Sequence, residues 1–218
     1  MDDTHRIEGR AAAIRIDNLD TDQIMPKQFL RGIDKMGLAA GLLHDLRFDA
    51  AGRPRPGFVL NQPGGAPVRI LLGGANFGCG SSREHAVWGL QQYGIEAVVA
   101  PGFGEIFYSN AMNNRLLLVM LPQDDIDRLM ADADEPVSAN IRIDVDRMTV
   151  RSASVDAAFT LTPRHRRMLL EGMDVIGLSL TYQAQIDAFA AAHWARHPWL
   201  KDVPALTRRR LDDPKRPV

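Results

Sequence analysis

The sequence predicts an α/β fold with a parallel βαβ core and an added antiparallel hairpin. Three observations point that way. Residues 68–72 and 96–100 are short, mainly apolar runs, interrupted only by Arg69 and by Glu96 at the start of the second, as strands covered on both faces require. Between them Ala86, Val87, Leu90 and Tyr93 recur at helical spacing, so residues 82–93 read as the crossover helix. From residue 141 the pattern changes to alternation, with Ile141, Ile143 and Val145 among polar neighbours, a turn at Asp146-Arg147, then Met148 and Val150.

From the start of the chain, residues 6–16 form an opening strand. Asp17-Asn18-Leu19-Asp20-Thr21-Asp22 is a polar turn of side chains that bond their own backbone; it serves either as a helix cap or as a set of acceptors facing a site. A short helical piece over 25–32 carries Lys27 and Arg31, 36–46 is a mixed segment, 49–57 a loop broken by proline and glycine, and 58–60 a short strand. After the βαβ unit, Pro101-Gly102-Phe103-Gly104 turns the chain into a helix over 105–114. A third buried strand, 116–121, and a polar-faced helix, 123–133, follow. Thr162 as N-cap and Pro163 at the first helical position open a helix through Leu170 that Gly172 closes. Residues 183–195 make a last amphipathic helix. The expected organisation is one domain over 1–200 and a basic, flexible tail over 201–218 that includes Arg208-Arg209-Arg210.

A chain of 218 residues can bury a full core. It is 45% hydrophobic and 24% charged with a net charge of -1, so its charge balance favours neither nucleic acid nor a membrane surface. No apolar run approaches a membrane span, and the Met1-Asp2-Asp3 start is unlike a signal peptide. With 1 cysteine no internal disulfide can form, and a cytoplasmic setting is expected. A single thiol cannot hold an iron–sulfur cubane either. His193 and His197 lie one helical turn apart, but they lack the glutamate of a His-Glu-x-x-His motif and Pro198 follows at once, so no metal site is expected.

The chemistry gathers in Gly73-Gly74-Ala75-Asn76-Phe77-Gly78-Cys79-Gly80-Ser81-Ser82-Arg83-Glu84-His85. This glycine-rich loop joins a strand to a helix. Ser81 with Glu84 three residues on predicts a capping box. Free amides and the positive end of the helix dipole favour an anion. Arg83 adds a planar fork suited to two-point contact with a carboxylate or phosphate. The same letters also make a plain structural cap. The spacing is neither a Walker loop nor a Gly-x-Ser-x-Gly elbow. Cys79 and His85 could pair as nucleophile and base, but no third group orients the histidine.

These residues resemble the small-subunit family of 3-isopropylmalate dehydratases, the swivelling β/β/α domain of the aconitase superfamily. The likeness covers most of the chain. It runs through Asp20-Thr21-Asp22-Gln23-Ile24, Pro26-Lys27-Gln28-Phe29-Leu30, the specific block from Asn76 to Ala86, Phe103 to Asn110, Leu169 to Gly177, and Pro198-Trp199-Leu200. Four positions depart from the family pattern: Val87 and Leu118 stand where proline is usual, Leu46 where tryptophan is, and Arg115 where glycine is.

The resemblance implies a two-subunit hydro-lyase acting in leucine biosynthesis. A large partner subunit would carry a 4Fe-4S cluster and most of the acid/base groups, while this chain would bind no cofactor and close over the partner. Family members interconvert 2-isopropylmalate and 3-isopropylmalate by dehydration and rehydration. By resemblance Ser81 is the base, acting ionised beside positive potential, and Ser82 and Arg83 hold a substrate carboxylate. Arg31 takes a second anionic group, Asp20, Thr21 and Asp22 orient the loop or touch the substrate, and residues 33–38 face its isopropyl group. Two other readings stay open. One is a related hydro-lyase for citramalate, maleate or another short dicarboxylate; the other is a non-catalytic anion-binding module.

Overall fold

The opening strand becomes the middle of the sheet. In the computed structural model, which describes residues 5–30, 36–62, 66–135 and 139–212, β1 (Arg6–Ile14) has a parallel neighbour on one side and an antiparallel one on the other. The parallel side holds β2 (Val68–Gly73), β3 (Ala97–Ala100) and β4 (Leu117–Met120). The antiparallel side holds β5 (Asn140–Asp144), β6 (Thr149–Arg151) and β7 (Asp156–Ala158), giving the order β4-β3-β2-β1-β5-β6-β7.

The crossovers explain which face each helix covers. α1 (Thr21–Ile24) and α2 (His44–Arg47) lie between β1 and β2, α3 (His85–Tyr93) between β2 and β3, and α4 (Glu105–Asn113) between β3 and β4. The strands step one way across the sheet, so crossovers of one hand put α3 and α4 on the same face. Side chains alternate accordingly. Ala12, Ile14, Leu71, Val98, Ala100 and Leu118 join Leu90, Phe107 and Met112 in one core cluster. Their neighbours Ala11, Ile70, Leu72, Ala97, Val99 and Val119 join Ile126, Leu129 and Met130 of α5 (Gln123–Asp134) in the other. The chain returns through α5 to reach β5, and α6 (Pro163–Leu170) follows the antiparallel wing β5–β7 with Thr162 as its N-cap.

Three expectations about single elements need correction. The helix expected from residue 82 begins at His85, and the strand expected over 58–60 is a 3-10 turn, Val59–Asn61. The hairpin gains a third strand, β7. Residues Val175–Val218 separate from Met1–Asp174 as a second compact unit. That unit contains α7 (Val175–Leu180), α8 (Gln183–Arg196) and α9 (Val203–Leu211), and α8 buries none of its residues despite its amphipathic pattern. Among the described residues no helix is long and apolar enough to cross a membrane.

Candidate active site

Because β1, β2 and β3 run parallel, the loops that follow them leave the same edge of the sheet, where open α/β sheets carry their crevice. Here the three loops extend the strands as short parallel pairs. Ala75 N donates to Asp17 Oδ1 at 2.8 Å, Gly78 N to Leu19 O at 2.7 Å, and Thr21 N to Cys79 O at 2.9 Å. On the far side Phe77 N donates to Gly102 O at 3.0 Å and Gly104 N to Phe77 O at 2.9 Å. Backbones this close leave no room for a Cβ. At Gly104 one would sit 2.7 Å from Gly78 O, and Gly78, at φ +75°, rests against the Phe107 ring.

Over this base lies the Ser81-Ser82-Arg83 turn. Ser81 N donates to Thr21 Oγ1 at 3.0 Å, and the Thr21 hydroxyl faces Ser81 O at 3.2 Å and Ser81 Oγ at 3.3 Å. Gly80, at φ +94°, bends the chain out of helical conformation just before. The Ser81 amide is thereby committed to Thr21, and the capping box expected at Ser81 and Glu84 does not form. Glu84 is itself the N-cap residue, and its carboxylate accepts from Asn114 Nδ2. The capping box that does form is one loop away: Asp20 Oδ1 accepts from Gln23 N at 2.7 Å, and Gln23 Oε1 from Asp20 N at 3.1 Å.

Arg83 forms an ion pair with Asp22, which fastens the two loops together. Ser82 is exposed, while Ser81 and Arg83 are half-buried, so none of the three belongs to the core. From α4, Asn110 Nδ2 donates to Ser82 O at 3.2 Å. Asn114 holds the rest: its Oδ1 accepts from Trp88 Nε1 at 3.0 Å, and its Nδ2 also reaches Asn110 O at 2.8 Å. Sequence reasoning passed over Asn114. An asparagine just after a helix is common, and its partners are visible only in three dimensions.

The comparisons with known proteins give the family. Residues 1–124 match the Aconitase C-terminal domain family. The chain is 64% identical over 206 residues to 3-isopropylmalate dehydratase small subunit 1 of Chromobacterium violaceum, covering 94% of this chain and 97% of that one. This chain belongs to the 3-isopropylmalate dehydratase small-subunit family. Another member, small subunit 2 of Salmonella typhimurium, is 44% identical over 92% of this chain and 97% of its own length. A crystal structure of 3-isopropylmalate dehydratase from Methanocaldococcus jannaschii superposes with a TM-score of 0.62 at 28% identity, covering 84% of this chain and 99% of that one. The family places the chain among hydro-lyases, in a swivelling domain built on a mixed sheet.

Within the family pattern the residues fall into place unevenly. Asp20, Thr21, Asp22, Ser81, Ser82 and Arg83 come together at one strand-end cluster, while Arg31 and residues 33–35 lie outside the described residues. Of the stretch expected to face the substrate's isopropyl group, Leu38 is in the core at 3% exposure, so it cannot line a pocket. Thr21, at 1%, is buried as well. Two of the four departures, Val87 and Leu118, are core residues, and Arg115 holds φ +64°, a conformation glycine adopts freely, with its guanidinium on Gly172 O at 2.8 Å.

The donor set does not fit an iron–sulfur cubane. Cys79 is the 1 cysteine, and its thiol donates to Asn18 O at 3.3 Å. Among the described residues no three of His, Cys, Asp and Glu gather as metal ligands, and no hydrogen bond joins Cys79 to His85, whose ring packs on Trp88 at 4.8 Å.

Proposed function

We propose that this chain supplies the base and a carboxylate clamp for the interconversion of 2-isopropylmalate and 3-isopropylmalate. It would do so in the cytoplasm, together with a large subunit that holds the 4Fe-4S cluster. One observation carries the reading: a serine, a second serine and an arginine stand outside the core, at least partly exposed, where three parallel strands end, in a chain of this family. Ser81 Oγ takes the proton from the carbon beside a substrate carboxylate. The neighbouring hydroxyl leaves to give the alkene, and water adds back with hydrogen and hydroxyl exchanged. Departure of the hydroxyl falls to groups this chain does not supply.

A serine hydroxyl is a poor base unless positive potential favours its ionised form. Here α3 starts at His85, four positions after Ser81, and a helix dipole acts mainly within its own first turn. The burden shifts to Arg83 and to hydrogen bonds. Arg83 has five N–H donors, so it can keep Asp22 and still receive a substrate carboxylate in two-point contact.

The test uses the chain reconstituted with its large subunit. Turnover of isopropylmalate should appear only in the mixture, and Ser81→Ala should lower kcat by about 10² or more while substrate binding persists. Full activity of Ser81→Ala would remove Ser81 from the mechanism. Running citramalate and maleate beside isopropylmalate decides the substrate, because one methylene discriminates by only about 1–3 kcal/mol.

A further inference from the structure

Thr21 sits beneath Ser81, sealed from the crevice, and its hydroxyl has three neighbours on a single residue. One is the Ser81 amide at 3.0 Å, one the Ser81 carbonyl at 3.2 Å, and one the Ser81 hydroxyl oxygen at 3.3 Å. The amide can only donate, so it occupies a lone pair of Thr21 Oγ1. That leaves the threonine's one proton to be directed at either Ser81 O or Ser81 Oγ, which lie at nearly equal distance. Beside a neutral serine the carbonyl is a good acceptor. Beside an ionised one, the charged oxygen is the stronger acceptor, because charge-assisted hydrogen bonds are roughly twice as strong as neutral ones. Turning the Thr21 hydroxyl moves the donor without moving any heavy atom.

We propose that Thr21 is a positioning residue that fixes Ser81 and redirects its hydroxyl proton onto Ser81 Oγ as that oxygen becomes charged. The inference rests on Ser81 being the base. Thr21 has the attributes such a donor needs. At 1% exposure it is shielded from water, so only the Ser81 carbonyl competes for its proton, and a poorly screened setting strengthens the bond. Its backbone is pinned at both ends, with Thr21 N on Cys79 O at 2.9 Å and Thr21 O accepting from Met25 N at 3.0 Å. The Asp20–Gln23 capping box fixes the first turn of α1 around it. Branching at Cβ restricts the rotamers available to its hydroxyl.

The experiment is steady-state kinetics against pH on the reconstituted two-subunit enzyme carrying Thr21→Val, which keeps the shape and loses the hydroxyl, and Thr21→Ser, which keeps the hydroxyl. Expected for Thr21→Val is a kcat about 10²-fold lower, the loss typical of one oxyanion donor, with KM for the dicarboxylate little changed. The limb of the kcat profile that reports ionisation of the base should rise by about one pH unit or more, and Thr21→Ser should restore it. A parallel fall in stability and kcat with that limb unmoved would overturn the proposal and leave Thr21 a packing residue. Should Thr21→Val not fold, Thr21→Ala carries the same expectations with less crowding of the Ser81 amide. Ser81→Ala in the same preparation separates the two ideas. Retained turnover there removes the base assignment and this inference together. Lost turnover there with an unmoved limb in the Thr21 variants removes this inference alone.

Discussion

Either side of β1, one sheet is built in two ways. On the parallel side β2 and β3 are apolar almost throughout and buried on both faces, and their neighbour β4 differs only at its exposed last residue. On the antiparallel side β5, β6 and β7 alternate over most of their length, and arginine–carboxylate pairs stand directly opposite one another, with Asp144 alone among them buried. These are Arg6 with Asp144 at 3.2 Å, Arg142 with Glu8 at 2.7 Å, and Arg151 with Asp156 at 3.1 Å. Both sides hold polar groups, yet only one gathers them into a site. Parallel strands all finish at the same edge, so loops after β1, β2 and β3 converge. Antiparallel strands finish at alternate edges, and their charges pair off across the ladder. Strand direction decides where chemistry can collect.

The sharpest way to break this contrast is to crowd the converging loops. Gly78→Ala forces a side chain into a left-handed backbone at φ +75° and against the Phe107 ring. The backbone term is about 1–2 kcal/mol and overpacking adds about 1–3 kcal/mol, so a loss near 2–5 kcal/mol is expected, together with most of the turnover. Arg151→Ala in the wing should stay within about 0.5 kcal/mol and keep full activity. Denaturant melts and reconstituted assays on both variants measure it. Equal losses at the two sites would sink the comparison.

How much of this was legible in sequence follows from the same division. Strands buried on both faces leave mainly apolar runs, so the parallel core could be read directly from 68–72 and 96–100 despite Arg69 and Glu96. Alternation likewise marked the hairpin at Ile141, Ile143 and Val150. Its partner could not be found locally. Arg6-Ile7-Glu8 and Arg142-Ile143-Asp144 are complementary when one is read backwards, but that signal appears only once β1 and β5 are known to pair. At the candidate site, the letters Ser81 to Glu84 spelled a capping box that a tertiary contact overrode: Thr21, 60 positions away in sequence, took the Ser81 amide first. The Ser81-Ser82-Arg83 turn was legible as a polar cluster after a strand. The burial of Thr21 and the bonds of Asn114 were not, since both depend on loops that meet only after folding.

Asn114 offers a finer cut within the parallel half. Asn114→Ala removes the acceptor for Trp88 Nε1 and a donor to the Glu84 carboxylate beside the turn. The expected cost is about 1–3 kcal/mol, with a rise in KM, because the residues after Arg83 lose their anchor. A stability loss with unchanged KM would confine Asn114 to holding α3 against α4.

The smallest effect expected separates the two sides by pH. Glu8 is held below the usual carboxylate range chiefly by its hydrogen bond from Arg142. At Asp144 burial pushes the carboxyl up, but the Arg147 amide, Arg6 and the nearby positive charge together outweigh it, and the net shift is downward. Both groups therefore bind protons less readily folded than unfolded. Their contribution is complete above the ordinary carboxylate value near pH 4 and is lost as pH falls through the depressed folded value. His165, on α6 against the Tyr108 ring at 5.7 Å, is lowered first by burial and then by Arg164, and its Nδ1 has no partner among the described residues. The sign is the same but the window is higher: stability fades as pH drops below about 6.5, where the unfolded imidazole gains its proton before the folded one does. Melting temperature against pH should show a shallow decline beginning near pH 6.5 and a steeper one below about pH 5. His165→Phe should flatten the first and Asp144→Asn the second, with kcat at neutral pH unchanged in the latter. One acid transition alone, below pH 5 and indifferent to His165, would mean that the histidine opens to water before the sheet does.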